Sequence, residues 1–226
     1  ELCPTPPMDE VANDEMFNPH RYFPINENCQ FLNVWTPGIE DGAKRPVMVW
    51  FHGGGWTNGS PIEQMSYDGT NLSRKGDVVV VSVAHRLNVL GMLDLSSFGD
   101  EYKDSGHVSV ADMVAALQWV QANIAEFGGD PDNVTIFGQS GGGRKVLSML
   151  AVPAAEGLVD KAIVESSSYT FPTQEWSKRV GELTVENLGL TADTIADIAE
   201  VPYLDLLAAG NKAMEQAADE GLGSAG

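Results

Sequence analysis

Val134-Thr-Ile-Phe-Gly-Gln-Ser-Gly-Gly142 decides how this chain folds. Val134–Phe137 is a short apolar run of strand character. Gly138 to Gly142 is a turn of small residues, and a helix from Gly141 to Leu150 follows it and stops near Pro153. Glycines flank Ser140 because a sharp strand-to-helix turn leaves no room for side chains there, and the serine is thrust out at the head of the helix. A helix N-terminus favours the negative charge that develops when a serine attacks a carbonyl. Far upstream, Val47-Met-Val-Trp-Phe51 runs into His52-Gly-Gly-Gly-Trp56, a second strand ending in a glycine loop. Its bare N–H groups are suited to an oxyanion. The two halves together point to serine acyl-transfer chemistry.

Working outward, Gln30–Thr36 alternates as a strand and stops at Pro37-Gly38, and Val78–Val83 is apolar on both faces, as in a parallel strand covered by helices. Ser109 to Phe127 has the clearest helical spacing, with Ser109 and Asp112 resembling a capping box and Gly128-Gly129 a stop. Lys161–Glu165 reads as one more strand, and the chain is helical in character from Trp176 onward. Strands alternating with helices predict a doubly wound, mostly parallel α/β sheet with its site beyond the carboxyl ends of the strands. The expected organisation is a single domain over 1–226: a loop at 1–28 rich in proline, a core sheet at 29–170, and a helical segment at 171–226.

The composition excludes several classes. Thirteen basic against 32 acidic residues give a net charge of −19, so nucleic acid is not an expected partner, because phosphate contacts need clustered Lys and Arg. No apolar run approaches a membrane span. Glu1 opens the chain without Met or a charged-then-apolar signal segment, which leaves a removed signal peptide open. No Cys/His cluster has metal-ligand spacing, and the glycine loops lack the lysine of a phosphate cradle, so neither metal nor cofactor is expected. Cys3 and Cys29 are the two cysteines. Composition leaves them open as two buried thiols or as a disulfide, which would stabilise by about 3.5 kcal/mol in the chain-entropy account.

With these stretches assembled, the chain resembles a type-B carboxylesterase of the α/β-hydrolase fold, nearest the bacterial branch. The resemblance rests on Glu27–Pro37, Pro46–Trp56, Gly76–Val83, His85–Gly91, Ala115–Val120, Asn123–Pro131, Asn133–Gly142 and Pro153–Glu165. It implies an ester hydrolase working through an acyl-enzyme on a small-molecule ester, with Ser140 as nucleophile and the backbone of Gly54, Gly55 and Gly141 as the oxyanion hole. It also implies a Cys3–Cys29 bridge, and hence a secreted or periplasmic protein; unbonded cysteines would shift that toward the cytoplasm. The sequence departs from the family's pattern in places. Gln139 stands where many relatives carry Glu, Ala84-His85-Arg86 replaces a common Asn-Tyr-Arg, and no Trp lies between Cys3 and Cys29. The triad order Ser, acid, His finds no partner here, since the last histidine is His107. The sheet is therefore expected to be incomplete at both ends, with the acid and the base supplied by the remainder of the same polypeptide.

Ordinary readings stand beside these. His52 is better suited to orienting the glycine loop than to acting as the base, and Arg86, Asp94 and Asp112 read as a structural ion-pair set. Trp56, Gln139 and His85 are candidates for the substrate pocket, although a packed aromatic serves equally at Trp56. Asn58, Asn71 and Asn133 begin glycosylation sequons, a pattern with many chance matches. A non-catalytic binding or adhesion module on the same scaffold is the alternative function. It has no use for a serine beside a glycine loop.

Overall fold

A computed structural model describes residues 1–6, 19–168 and 171–222. Sequence readings that fall on 7–18, 169–170 or 223–226 lie outside those residues. The chain divides into two compact units, Glu1–Arg86 with Val110–Ser168, and Leu87–Ser109 with Tyr169–Gly226.

The first unit holds a five-stranded sheet of β1 (Leu32–Trp35), β2 (Arg45–Phe51), β3 (Val79–Val83), β4 (Gly129–Gln139) and β5 (Lys161–Glu165), in the order β1-β3-β2-β4-β5. Four strands run parallel and β1 pairs antiparallel with β3. Every residue of β3 is buried, as its unbroken Val-rich run requires. Every residue of the edge strand β5 is exposed. Val47, Val49 and Phe51 of β2 pack with Val79, Val81, Val134 and Ile136, and with Met113, Leu117, Val120 and Ile124 from α3 (Val108–Asn123) and the 3-10 turn after it. Those four recur at three and four residues, which places them on one face of the helix.

Two readings of detail are corrected. β4 begins at Gly129, well before Val134, because Arg45 opens a ladder with Gly129 that overrides the turn chemistry of Gly-Asp-Pro-Asp. The helix begins at Val108, before Ser109, and the Asp112 carboxylate accepts from the Arg86 guanidinium at 2.6 and 2.9 Å and from the Arg86 amide, in keeping with the ion-pair reading of those two residues. α1 (Thr70–Gly76) also belongs to this unit, and α4 (Gly141–Ala151) follows β4. Cys3 and Cys29 are bonded, with alpha carbons 4.7 Å apart and both side chains buried. The bridge holds the N-terminal segment where Leu2 pairs with Ile25.

The second unit is built from α2 (Asn88–Met92), α5 (Gln174–Asn187) and α6 (Tyr203–Asp219) with short 3-10 turns between. Val180 and Leu183 pack on Ala213 and Ala217, and a separate cluster gathers Leu93, Leu95, Val185, Ile195 and Leu206. Arg179 bridges Glu182 and Glu220 across the outside of the α5–α6 pair.

Candidate active site

The register of the sheet brings the two glycine segments together. Phe51, the last residue of β2, sits opposite Gly138 of β4, so both chains leave the sheet side by side at its carboxyl edge. The turn after β4 is as tight as its sequence suggests. Ser140 has φ 57° and ψ −122°, a conformation sparsely populated for any residue with a side chain. The surroundings hold it there: the Ser140 amide donates to the Glu165 carbonyl at 2.9 Å, and its own carbonyl accepts from Arg144 in the first turn of α4. A Cβ at Gly138 would meet the carbonyl of Gly142 at 2.6 Å and that of Phe51 at 2.7 Å, which explains glycine at that point. Ser140 is exposed, at the N-terminus of the helix.

The loop after β2 closes against this turn. Gly54 and Gly55 both have positive φ, 80° and 64°. A Cβ on Gly141 would fall on the backbone of Gly55, and one on Gly53 would lie 3.8 Å from Cβ of Ser140. The backbone of Gly53–Gly55 therefore lies directly against the serine turn. Asn58 donates its amide to Gly54 at 2.9 Å and folds the loop back on itself.

Beneath the loop lies a buried cluster of ionisable side chains. The His52 and His85 rings stack at 4.9 Å between centroids, 11° from parallel, with Trp56 edge-on to His85. Each imidazole donates from Nδ1 to a neighbouring carbonyl at 2.9 Å, His52 to Gly53 and His85 to Arg86. That contact fixes the neutral tautomer with the proton on Nδ1. Burial, with the nearby Lys145 charge adding to it, holds both rings well below the usual imidazole range. Lys145 is itself completely buried, and burial brings its amine down to about 7. Its Nζ donates to the His52 carbonyl at 2.8 Å. Lys145 belongs to no motif in the sequence, although its distance of four residues from both Gly141 and Met149 puts it on the inward face of α4.

A cavity of about 590 Å³ opens onto Ser140. Its lining includes Gly53, Gly54, Gln139, Tyr22, Phe23, Glu63 and Tyr67. Of the three candidate pocket residues, Gln139 lines this cavity. Trp56 and His85 are not among its lining: Trp56 packs against the sheet core, and His85 is buried under the loop. Tyr22, Phe23 and Tyr67 carry no periodic or motif signal in the sequence and reach the site through tertiary placement. Burial and the neighbouring Glu63 push the Tyr67 phenol up to about 12, so it faces the cavity uncharged. Among the described residues no group of His, Cys, Asp and Glu is arranged to hold a metal ion.

A mostly parallel sheet with helices, a serine on a strained strand-to-helix turn and a glycine loop beside it define an α/β-hydrolase. The chain belongs to the Carboxylesterase family, which it matches over residues 1–222. It is 41% identical over 187 residues to the para-nitrobenzyl esterase of Bacillus subtilis, covering 83% of this chain and 37% of that protein. It is 47% identical over 151 residues to human carboxylesterase 3, covering 66% of this chain and 25% of that protein. Among solved structures it superposes, with TM-score 0.89 and 45% identity, on an esterase from anaerobic Clostridium hathewayi described as able to hydrolyse aliphatic aromatic polyesters. That match covers 97% of this chain and 44% of the other. The chain thus spans less than half the length of these relatives.

Proposed function

We propose that the protein carrying these residues is a serine carboxylesterase, with Ser140 as nucleophile and the backbone N–H groups of Gly54, Gly55 and Gly141 as the oxyanion hole. The observation that carries this reading is the contact between the two glycine segments: the loop that follows β2 is pressed against the turn that exposes Ser140. Attack by the Ser140 hydroxyl on an ester carbonyl gives a tetrahedral oxyanion and then an acyl-enzyme, which water hydrolyses. Backbone donors held rigid by their neighbours need no reorganisation as the charge develops, and each contributes about 3 kcal/mol. His52 is assigned to orienting the loop. It is buried, neutral and engaged with Gly53, and so is poorly suited to take the serine proton.

The base and the acid of the triad are assigned to polypeptide outside these 226 residues, because His107 is the last histidine here and precedes Ser140. A serine without an adjacent base is a poor nucleophile, so these residues alone are expected to be inactive. The aromatic lining from Tyr22, Phe23 and Tyr67 favours esters with an aryl group. Both the nitrobenzyl esterase and the polyester-hydrolysing relative are consistent with that class. Nothing observed favours a non-catalytic adhesion module. The Cys3–Cys29 bridge supports an oxidising compartment, hence secretion or a periplasmic location.

The test is pre-steady-state hydrolysis of a p-nitrophenyl ester by the full-length polypeptide. The expected result is a burst of nitrophenol equal to the enzyme concentration, followed by slower turnover. Steady turnover with no acyl-enzyme, or no turnover, overturns the mechanism. Serine-dependent turnover by residues 1–226 alone would place the base at one of the upstream histidines.

A further inference from the structure

Lys145 is out of keeping with its surroundings. Its neighbours on the inward face of α4 are Gly141, Gly142, Val146 and Met149, and its side chain is as completely buried as theirs. A buried amine carries a desolvation cost that an apolar residue of equal length would avoid. Glu63 is the carboxylate whose charge acts on it, and burial outweighs that charge. The Lys145 amine donates a hydrogen bond to the carbonyl of His52, and its Nζ lies 5.8 Å from the centre of the Trp56 ring. Those two partners are informative, because His52 and Trp56 are the residues immediately before and after Gly53–Gly55. One side chain therefore touches both flanks of the glycine loop. The helix that carries it begins directly after Ser140.

We infer that Lys145 is a positioning residue that fastens the Gly53–Gly55 loop to the helix bearing Ser140, holding the loop's N–H groups at the place where the oxyanion forms. The inference rests on the esterase reading for its purpose, while the fastening itself does not depend on it. Glycine gives the loop the backbone freedom it needs to approach Ser140 closely, and the same freedom must be restrained for the donors to stay aimed. The amine keeps an N–H to donate in either protonation state, so the fastening persists on both sides of neutrality. His52, His85 and Glu63 are the titratable groups whose charges act with the amine.

Lys145→Met and Lys145→Gln in the full-length protein test this. Met fills the space without a donor, and Gln keeps a donor without the charge. In the Met variant, amide exchange at Gly54 and Gly55 should quicken at least about tenfold while the strand amides of Val47–Phe51 stay unchanged. The kcat for a p-nitrophenyl ester should fall by about 100-fold, as for a small misplacement of reacting groups. KM should stay within about threefold, and affinity for a trifluoromethyl ketone, which forms a tetrahedral oxyanion on the serine, should fall in step with kcat. Gln should restore part of both the loop protection and kcat. Unchanged exchange in the Met variant overturns the fastening; quickened exchange with unchanged kcat and ketone affinity overturns its role in positioning. If the unsubstituted protein shows no turnover but the exchange difference appears, the esterase reading fails and the fastening stands. Should the Met variant not fold, nitrogen NMR of the lysine amines in the unsubstituted protein decides. One slowly exchanging Nζ at neutral pH is expected, and none would overturn the bond.

Discussion

The turn around Ser140 and the α5–α6 pair are built from opposite choices. At the turn, a serine is held at φ 57°, three glycines sit where a Cβ would strike backbone, and two histidines and a lysine are buried close by. In α5 and α6 the apolar residues meet at helical spacing, and the charges around Arg179 stay at the surface. The second arrangement is ordinary helix packing. The first breaks several local rules in one small region, as expected of a site whose geometry is held for chemistry rather than for stability. Substitutions should separate the two regions accordingly.

The largest expected effect is that of Ser140→Ala in the full-length protein. It should lower kcat/KM for a p-nitrophenyl ester by roughly four powers of ten while leaving circular dichroism unchanged, since alanine fits wherever serine does. Activity retained within tenfold would move the chemistry away from this turn. Gly141→Ala should follow, with about a 100-fold loss of kcat and a stability loss of about 2 kcal/mol, because the new methyl group falls on the Gly55 backbone. Melting and kinetics on the same sample check both.

Titration of the buried groups gives a smaller effect with a definite sign. The Lys145 amine lies at about 7 in the folded chain, against an ordinary 10.5 in the unfolded chain. Between those values the unfolded state keeps a proton that the folded state has released, so this group makes stability rise with pH from about 7 to 10.5. Below 7 both states are protonated and the slope vanishes. Lys145→Met removes the slope, so the urea midpoint of the unsubstituted protein should rise relative to that of the Met variant as pH goes from 7 to 10. Parallel profiles would show that the amine is not buried. His52 and His85 act at the other end: they resist protonation in the folded chain, so stability should fall as pH drops below 6.5. The smallest effect belongs to Arg179→Ala. Its pairs with Glu220 and Glu182 are solvent-screened, so stability should change by less than about 1 kcal/mol and activity not at all.

How much of this was legible in the sequence depended on how local each determinant is. The Ser140 turn and the Gly53–Gly55 loop could be read directly, because glycine at those positions answers a backbone requirement that neighbours in sequence impose. β5 was read with its observed bounds, and the parallel core strands followed from their unbroken apolar runs. The Arg86–Asp112 pair agrees with the ion-pair reading of those residues, whereas the start of β4 is set by a residue distant in sequence, Arg45, and escapes a local reading. α1 and α2 are too short for periodicity to mark them. The aromatic lining of the cavity and the partner of Lys145 are tertiary facts, visible only once the sheet register brings β2 and β4 together.

Acylation of Ser140 by substrate is the step on which the proposed mechanism depends. Treating the full-length protein with a fluorophosphonate and mapping the adduct by peptide mass spectrometry tests it most directly. The predicted result is one stoichiometric adduct, on Ser140, with activity lost in proportion. An adduct on another residue, or full activity with none, would contradict it.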